Sequence, residues 1–142
     1  MIDLDAKEYL EQAHSMDLQI KSKIAQLKSI QSLSQKVTQV LTDMPKVQTL
    51  SSSLEDAVCK SVDIEREIKE AVSCLGVIRH DIEDKVALVK PTEVRSVLEL
   101  RYLAFMDWDE VAASMNYTRR WMLKLHSRGL EQVDELLKRG GT

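Results

Sequence analysis

The stretch DWDEVAASMNYTRRWMLKLHSRGL, residues 107–130, decides how this chain is read. Asp107 stands where a helix N-cap is wanted, and Glu110 follows three residues later. At that spacing a cap and a glutamate can each satisfy an orphan amide of the first turn. The spacing predicts a helix over Trp108–Met115 with Val111, Ala112 and Met115 facing inward, and small Ala112 would let two helices cross closely. Asn116 falls where the chain must turn sharply, and asparagine tolerates left-handed geometry better than most residues. Thr118 is the expected cap of a longer helix whose inner side carries Met122, Leu125, Leu130, Val133 and Leu137. A short helix, a three-residue turn and a longer helix have helix-turn-helix proportions.

The outward side of that longer helix is chemically distinct. From Asn116 to Leu130 the chain holds Arg119, Arg120, Lys124 and Arg128, with His126, and no acidic residue. Elsewhere acids and bases alternate. Arginine and lysine at the start of such a helix can meet guanine edges or phosphates, and Thr118 can add a hydroxyl contact while capping. The candidate DNA-contacting residues are therefore Thr118, Arg119, Arg120, Trp121, Lys124 and Arg128. Two placements of Trp121 are open: exposed, touching a thymine methyl or a sugar, or packed under the coiled-coil arm. Two partners are open as well, because many helix-turn-helix units bind protein rather than DNA.

Upstream, a helix over about Thr92–Phe105 offers Val94, Val97, Leu98, Leu100, Tyr102 and Leu103 to the same core. Five of the six aromatic residues lie between Tyr102 and Trp121; Tyr9 alone lies outside. This shift in composition sets a boundary near Pro91. Residues 91–138 would form the helix-turn-helix domain, 139–142 a flexible tail, and 1–90 a helical hairpin with coiled-coil arms.

The first arm, about Asp3–Asp43, carries one apolar stripe through Leu10, Ala13, Ile20, Ile24, Leu27, Val37 and Leu41. Pro45 should end it, and Ser52 with Glu55 should cap the second arm. There Leu54, Ser61, Ile68, Leu75, Ile82 and Val89 recur every seven residues, broadened by Ala57, Ile64, Ala71 and Ile78. A repeat this sustained indicates coiled-coil packing. A parallel row of Val58, Val72 and Val86 is interrupted by Glu65 and Arg79, either as buried register-fixing pairs or as a solvated edge. Arms of about 60 Å each, joined at Met44–Ser51, favour an antiparallel hairpin. Two helices alone bury little, so hairpins from two chains are expected to pack together, with a dimer favoured. Leu54, Ile68, Leu75, Ile82 and Val89 are the expected oligomerisation residues. The fold class expected is all-α throughout.

Composition bounds the rest. The chain has 142 residues, 44% hydrophobic and 30% charged, with four glycines, two prolines and a net charge of −3. Few breakers favour helix. The acidic balance gives no whole-molecule attraction to nucleic acid, but a local basic face remains compatible with it. No apolar run reaches membrane length, and early Asp3, Asp5, Lys7 and Glu8 do not fit a secretory leader. A cytoplasmic protein is expected. Cys59 and Cys74 would lie about 22 Å apart on one helix, beyond disulfide reach within a chain. No cysteine–histidine spacing suggests a metal, no glycine-rich loop suggests a phosphate ligand, and no nucleophile–base pair suggests catalysis. No enzyme activity, cofactor or metal is expected.

These residues resemble something known. Leu98-Glu-Leu-Arg-Tyr, Trp108-Asp-Glu-Val-Ala and the run from Tyr117 to Leu130 look like region four of bacterial sigma factors. They look more closely like a phage and prophage family of Gram-positive bacteria, similar to the ArpU- and RinA-type late-gene transcription regulators. Ala6-Lys-Glu-Tyr-Leu-Glu-Gln-Ala, Asp43-Met-Pro and Asp63-Ile-Glu-Arg-Glu-Ile look like further elements of that family. The resemblance implies a phage-encoded regulator binding double-stranded DNA inside a bacterial host, with contact to host RNA polymerase permitted. It implies a recognition helix over Thr118–Leu130. Three residues depart from the pattern: Trp121 stands where a polar reader is usual, Asp107 where serine or threonine caps, and Gly129 where alanine is commoner. A packaging component of the terminase small-subunit kind, or a protein-binding adaptor, combines similar parts. A ring-like assembly would favour packaging and a dimer regulation.

Overall fold

Apolar spacing and capping residues set the elements of this chain. A computed structural model describes residues 5–43 and 48–140. Helix α1 spans Ala6–Asp43, α2 Gln48–Val86, α3 Thr92–Leu98, α4 Trp108–Met115 and α5 Arg119–Gly140. A π-helical turn, Glu99–Leu103, continues α3. No strand occurs among the described residues, and none of their helices is long and apolar enough to cross a membrane.

Several boundaries differ from the sequence reading. α2 begins at Gln48, ahead of the Ser52–Glu55 capping box. Serine inside a helix costs only tenths of a kcal/mol, so a strong heptad pattern runs through it. The tail was expected from residue 139, yet α5 runs through Arg139 to Gly140. Pro45 and the first half of the expected connection, residues 44–47, lie outside the described residues, and its second half is already part of α2. The helix expected over Thr92–Phe105 widens into a π turn after Leu98, and Phe105 takes a positive φ of 59°.

The chain divides into two compact units. One comprises Met1–Met16 with Leu75–Thr142; the other is Asp17–Cys74. The expected boundary at Pro91 therefore cuts through a core rather than between cores. Ala6, Tyr9, Leu10 and Ala13 from α1 join Ile82 and Val86 from α2, and all pack with Val94, Val97, Leu98, Tyr102, Val111, Met122, Leu125 and Val133. The sequence shift at Pro91 marks where aromatics begin, but apolar aliphatics upstream complete the same cluster. Each large side chain so buried contributes about 1.5–3 kcal/mol.

Polar contacts lock this unit at its edges. The Ala6 amide donates to Asp134 of α5 at 2.7 Å. Gln132 of α5 clamps Lys90 from both sides, accepting from its amide at 2.9 Å and donating to its carbonyl. The Tyr9 hydroxyl donates to Asp81, which also pairs with Lys85 at 3.1 Å. That hydroxyl bond holds the Asp81 carboxyl below its ordinary range, while burial pushes the Tyr9 phenol up.

In the other unit, α1 and α2 continue as an antiparallel hairpin. Lys23 of α1 pairs with Glu67 of α2 at 2.8 Å. Ile20 and Ala57 are buried here, while Leu27, Ile64, Ile68 and Ala71 are only half-buried. Two helices alone cannot cover a wider seam.

One close approach sets the geometry of the first unit. A Cβ on Gly129 of α5 would meet Leu98 Cδ1 at 2.9 Å and Cγ at 3.0 Å. Leu98 is fully buried, so its side chain could give way only by shifting within the packed core. Glycine in a helix costs about 1 kcal/mol against alanine, and here that cost allows two helices to touch. Gly129→Ala is expected to lower the unfolding free energy by about 1 kcal/mol, the clash exceeding the propensity gain. In a Leu98→Ala background the same change should stabilise. Chemical denaturation of the four proteins checks both signs.

Candidate nucleic-acid interface

The elements around α5 form as their local chemistry dictates. Asp107 caps α4, its side chain accepting from the Glu110 amide at 2.8 Å. That amide holds the Asp107 carboxyl below its ordinary range, and Asp107 in turn raises Glu110. Asn116 ends α4 in the left-handed region, φ 57° and ψ 39°. Asn116, Tyr117 and Thr118 link α4 to α5. Thr118 caps α5, its hydroxyl accepting from the Trp121 amide at 3.1 Å.

Burial fixes the rotation of α5. Met122, Leu125, His126, Gly129 and Val133 face the core. Arg120, Lys124 and Arg128, four residues apart, therefore share the opposite side, and all three are exposed. Trp121 is 41% exposed and lies beside them, with the Arg128 guanidinium 5.6 Å from its ring. Of the two placements open for Trp121, the exposed one is observed. Arg119 is set apart from this stripe: it turns toward α4 and pairs with Asp109 at 3.2 Å. Both partners are well exposed, so the bridge holds only weakly. Arg120, Trp121, Lys124 and Arg128 thus share one solvent-facing surface, with Arg119 at its edge and Thr118 exposed at the start of the helix.

Sequence reasoning missed two members of this surface. Leu123 is 37% exposed and Ser127 is exposed. Their signal was available, since phasing α5 on Met122 and Leu125 turns both outward, on the flank of the basic stripe away from Trp121.

His126, counted with the basic run, is buried instead. Its Nε2 shares a hydrogen bond with the Tyr102 hydroxyl, 2.5 Å away, and the Trp108 ring meets it edge-on at a centroid distance of 4.6 Å. Arg101 lies over the other side of this cluster, 4.4 Å from the Trp108 centroid, and donates to the Met106 carbonyl at 2.9 Å. Burial pushes His126 down to about 4 and the Tyr102 phenol up to about 12. The imidazole is therefore neutral at physiological pH and adds nothing to the basic stripe. It ties α5 to the π turn and α4.

The expected oligomerisation residues are placed differently from the reading that named them. Ile82 and Val89 are fully buried in their own chain's core, so neither is available to a partner. Leu54 and Ile68 are half-buried on the hairpin's own seam, and Leu75 is half-buried against the core of the first unit. Of the interrupted second row, Glu65 is exposed and Arg79 is half-buried, pairing with Glu83 at 3.2 Å. Cys59 and Cys74 are exposed, reduced thiols. Among the described residues no three histidine, cysteine or acidic side chains converge as a metal site would require.

No family model, curated protein or solved structure matches this chain.

The buried imidazole has a pH signature. His126 binds a proton more readily in the unfolded chain, near 6.5, than in the fold, near 4. Its contribution is complete above pH 6.5 and is lost as pH falls toward 4. By linkage this amounts to about 2 kcal/mol between pH 7 and pH 5. Urea melts across that range should show this loss, and His126→Gln should largely remove it.

Proposed function

We propose that this protein is a DNA-binding transcription regulator that acts as a homodimer. α4 and α5 serve as its helix-turn-helix and α5 as its reading helix. The observation that carries this is the stripe of Arg120, Lys124 and Arg128 on the open side of α5, flanked by exposed Trp121. Three cations at one-turn spacing match a phosphate backbone or a guanine edge better than they match solvent. The Thr118 hydroxyl uses a lone pair to cap α5 and keeps its proton to donate to a phosphate oxygen. The Trp121 indole, backed by Arg128, offers an apolar plane to a thymine methyl or a sugar.

The same geometry excludes the start of α4 from close phosphate contact. Asp107, Asp109 and Glu110 cluster there, with Arg119 bridging Asp109 and Arg101 lying over the Trp108 ring. DNA is therefore approached by the first three turns of α5 rather than by both helices equally. The sequence likeness to phage late-gene regulators supports a role at genes of that class, with contact to host RNA polymerase compatible with the remaining surface.

Fluorescence anisotropy of labelled duplex DNA with the full chain, over a range of salt, tests the reading. Binding should weaken steeply with salt, since each neutralised phosphate adds about 0.9 to the slope of log K against log salt. Arg120→Ala and Lys124→Ala should each weaken binding several-fold and lower that slope by about one, with unchanged helix content. Absence of binding at low salt, or full affinity in both variants, would sink the proposal. Recovery of bound genomic fragments then separates a promoter from a packaging site.

A further inference from the structure

α2 carries two heptad seams, and the hairpin covers one of them. Leu54, Ala57, Ser61, Ile64, Ile68 and Ala71 alternate at spacings of three and four and are buried or half-buried against α1. About a quarter turn around the helix, Val58, Val62, Glu65, Lys69 and Val72 repeat the same spacing. All five are exposed, the valines by 51%, 57% and 51%. Glu65 and Lys69 make no ion pair among the described residues, although they stand one turn apart.

This second seam is self-complementary. Two copies of α2 laid antiparallel about a two-fold axis pair residues whose numbers add to a constant. The register that sets Val62 against Val72 of the second copy also sets Glu65 against Lys69 of the second copy. The two-fold repeats both contacts on the other side of the axis. An apolar pair then flanks an opposite-charge pair at each end of a short seam, with Val58 extending it. A parallel pairing would instead bring Glu65 onto Glu65 and Lys69 onto Lys69, where like charges repel.

We propose that a second copy of this chain docks on the Val58–Val72 face of α2, antiparallel, with the two-fold axis between Glu65 and Lys69. This rests on the homodimer proposed above and names its surface. The pattern selects a copy of the same chain over an unrelated helix, because one acid and one base are placed symmetrically about the valines. The hairpin seam stays intact within each copy, and the covered face is the one the hairpin leaves wet.

Charge exchange between two variants of the full chain tests it, read by light-scattering mass at micromolar concentration with reductant present. The wild type should be a dimer. Glu65→Lys sets lysine against lysine across the axis and Lys69→Glu sets glutamate against glutamate, so each should dimerise at least tenfold more weakly. An equimolar mixture of the two should regain dimer mass, since every cross-axis contact is then between opposite charges. Pairing of Glu65 with Lys69 inside one helix cannot produce that recovery. Dimeric variants in a dimeric wild type would overturn this surface and leave self-association standing, as would a mixture that stays monomeric. A monomeric wild type would overturn both.

Discussion

The approach of α5 to α3 at Gly129 and Leu98 is the constraint on which the rest of the compact unit depends. It sets how deep α5 sits, and with Met122, Leu125 and Val133 it sets the rotation of that helix. Once the rotation is fixed, the side opposite the core must carry Arg120, Lys124 and Arg128. The basic stripe is thus a consequence of packing, and no separate device is needed to hold it outward. His126 adds direction to a contact that apolar packing leaves non-directional. It links α5 to Tyr102 in the π turn and to Trp108 at the start of α4. The π turn itself brings Arg101 over Trp108, so the link between α3 and α4 is closed by a cation on an aromatic face.

The long helices serve this unit as well as extending from it. The first turns of α1 and the last turns of α2 supply Leu10, Ala13, Ile82 and Val86 to the core around α5. Asp134 and Gln132, both on α5, hold the first residue of α1 and the link before α3. Loss of α1 would therefore open the core under α5. In the proposed function, this coupling makes the ends of the long helices, Ala6–Ala13 and Ile82–Val86, part of the DNA-reading unit.

Much of this was legible in the residues. The caps Asp107 and Thr118 and the left-handed Asn116 announced themselves through local chemistry, which a sequence displays directly. Periodicity gave the inner side of α5 and the seam of α2. What failed was assignment across distance. Aliphatic residues before Pro91 and aromatics after it share one core, and composition alone could not pair them. His126 sits between basic residues in sequence, and only the helix phase, with Tyr102 waiting across the core, turns it inward. Ile82 and Val89 fit the heptad of a partner-facing seam, yet the same phase carries them into their own chain's core. Gly129 read as a departure costing helix propensity; the close Leu98 contact supplies its reason.

Trp121 gives the most direct test of the account, because it is the exposed aromatic on the face proposed to read DNA, whereas Trp108 is half-buried against His126 and Arg101. Their two indole N–H resonances can be followed separately while duplex DNA is titrated into the full-length protein. The account predicts that the Trp121 signal shifts and saturates with binding while the Trp108 signal stays within its linewidth. Saturated binding with Trp121 unmoved would contradict the account, since DNA would then be held by some other face of the molecule.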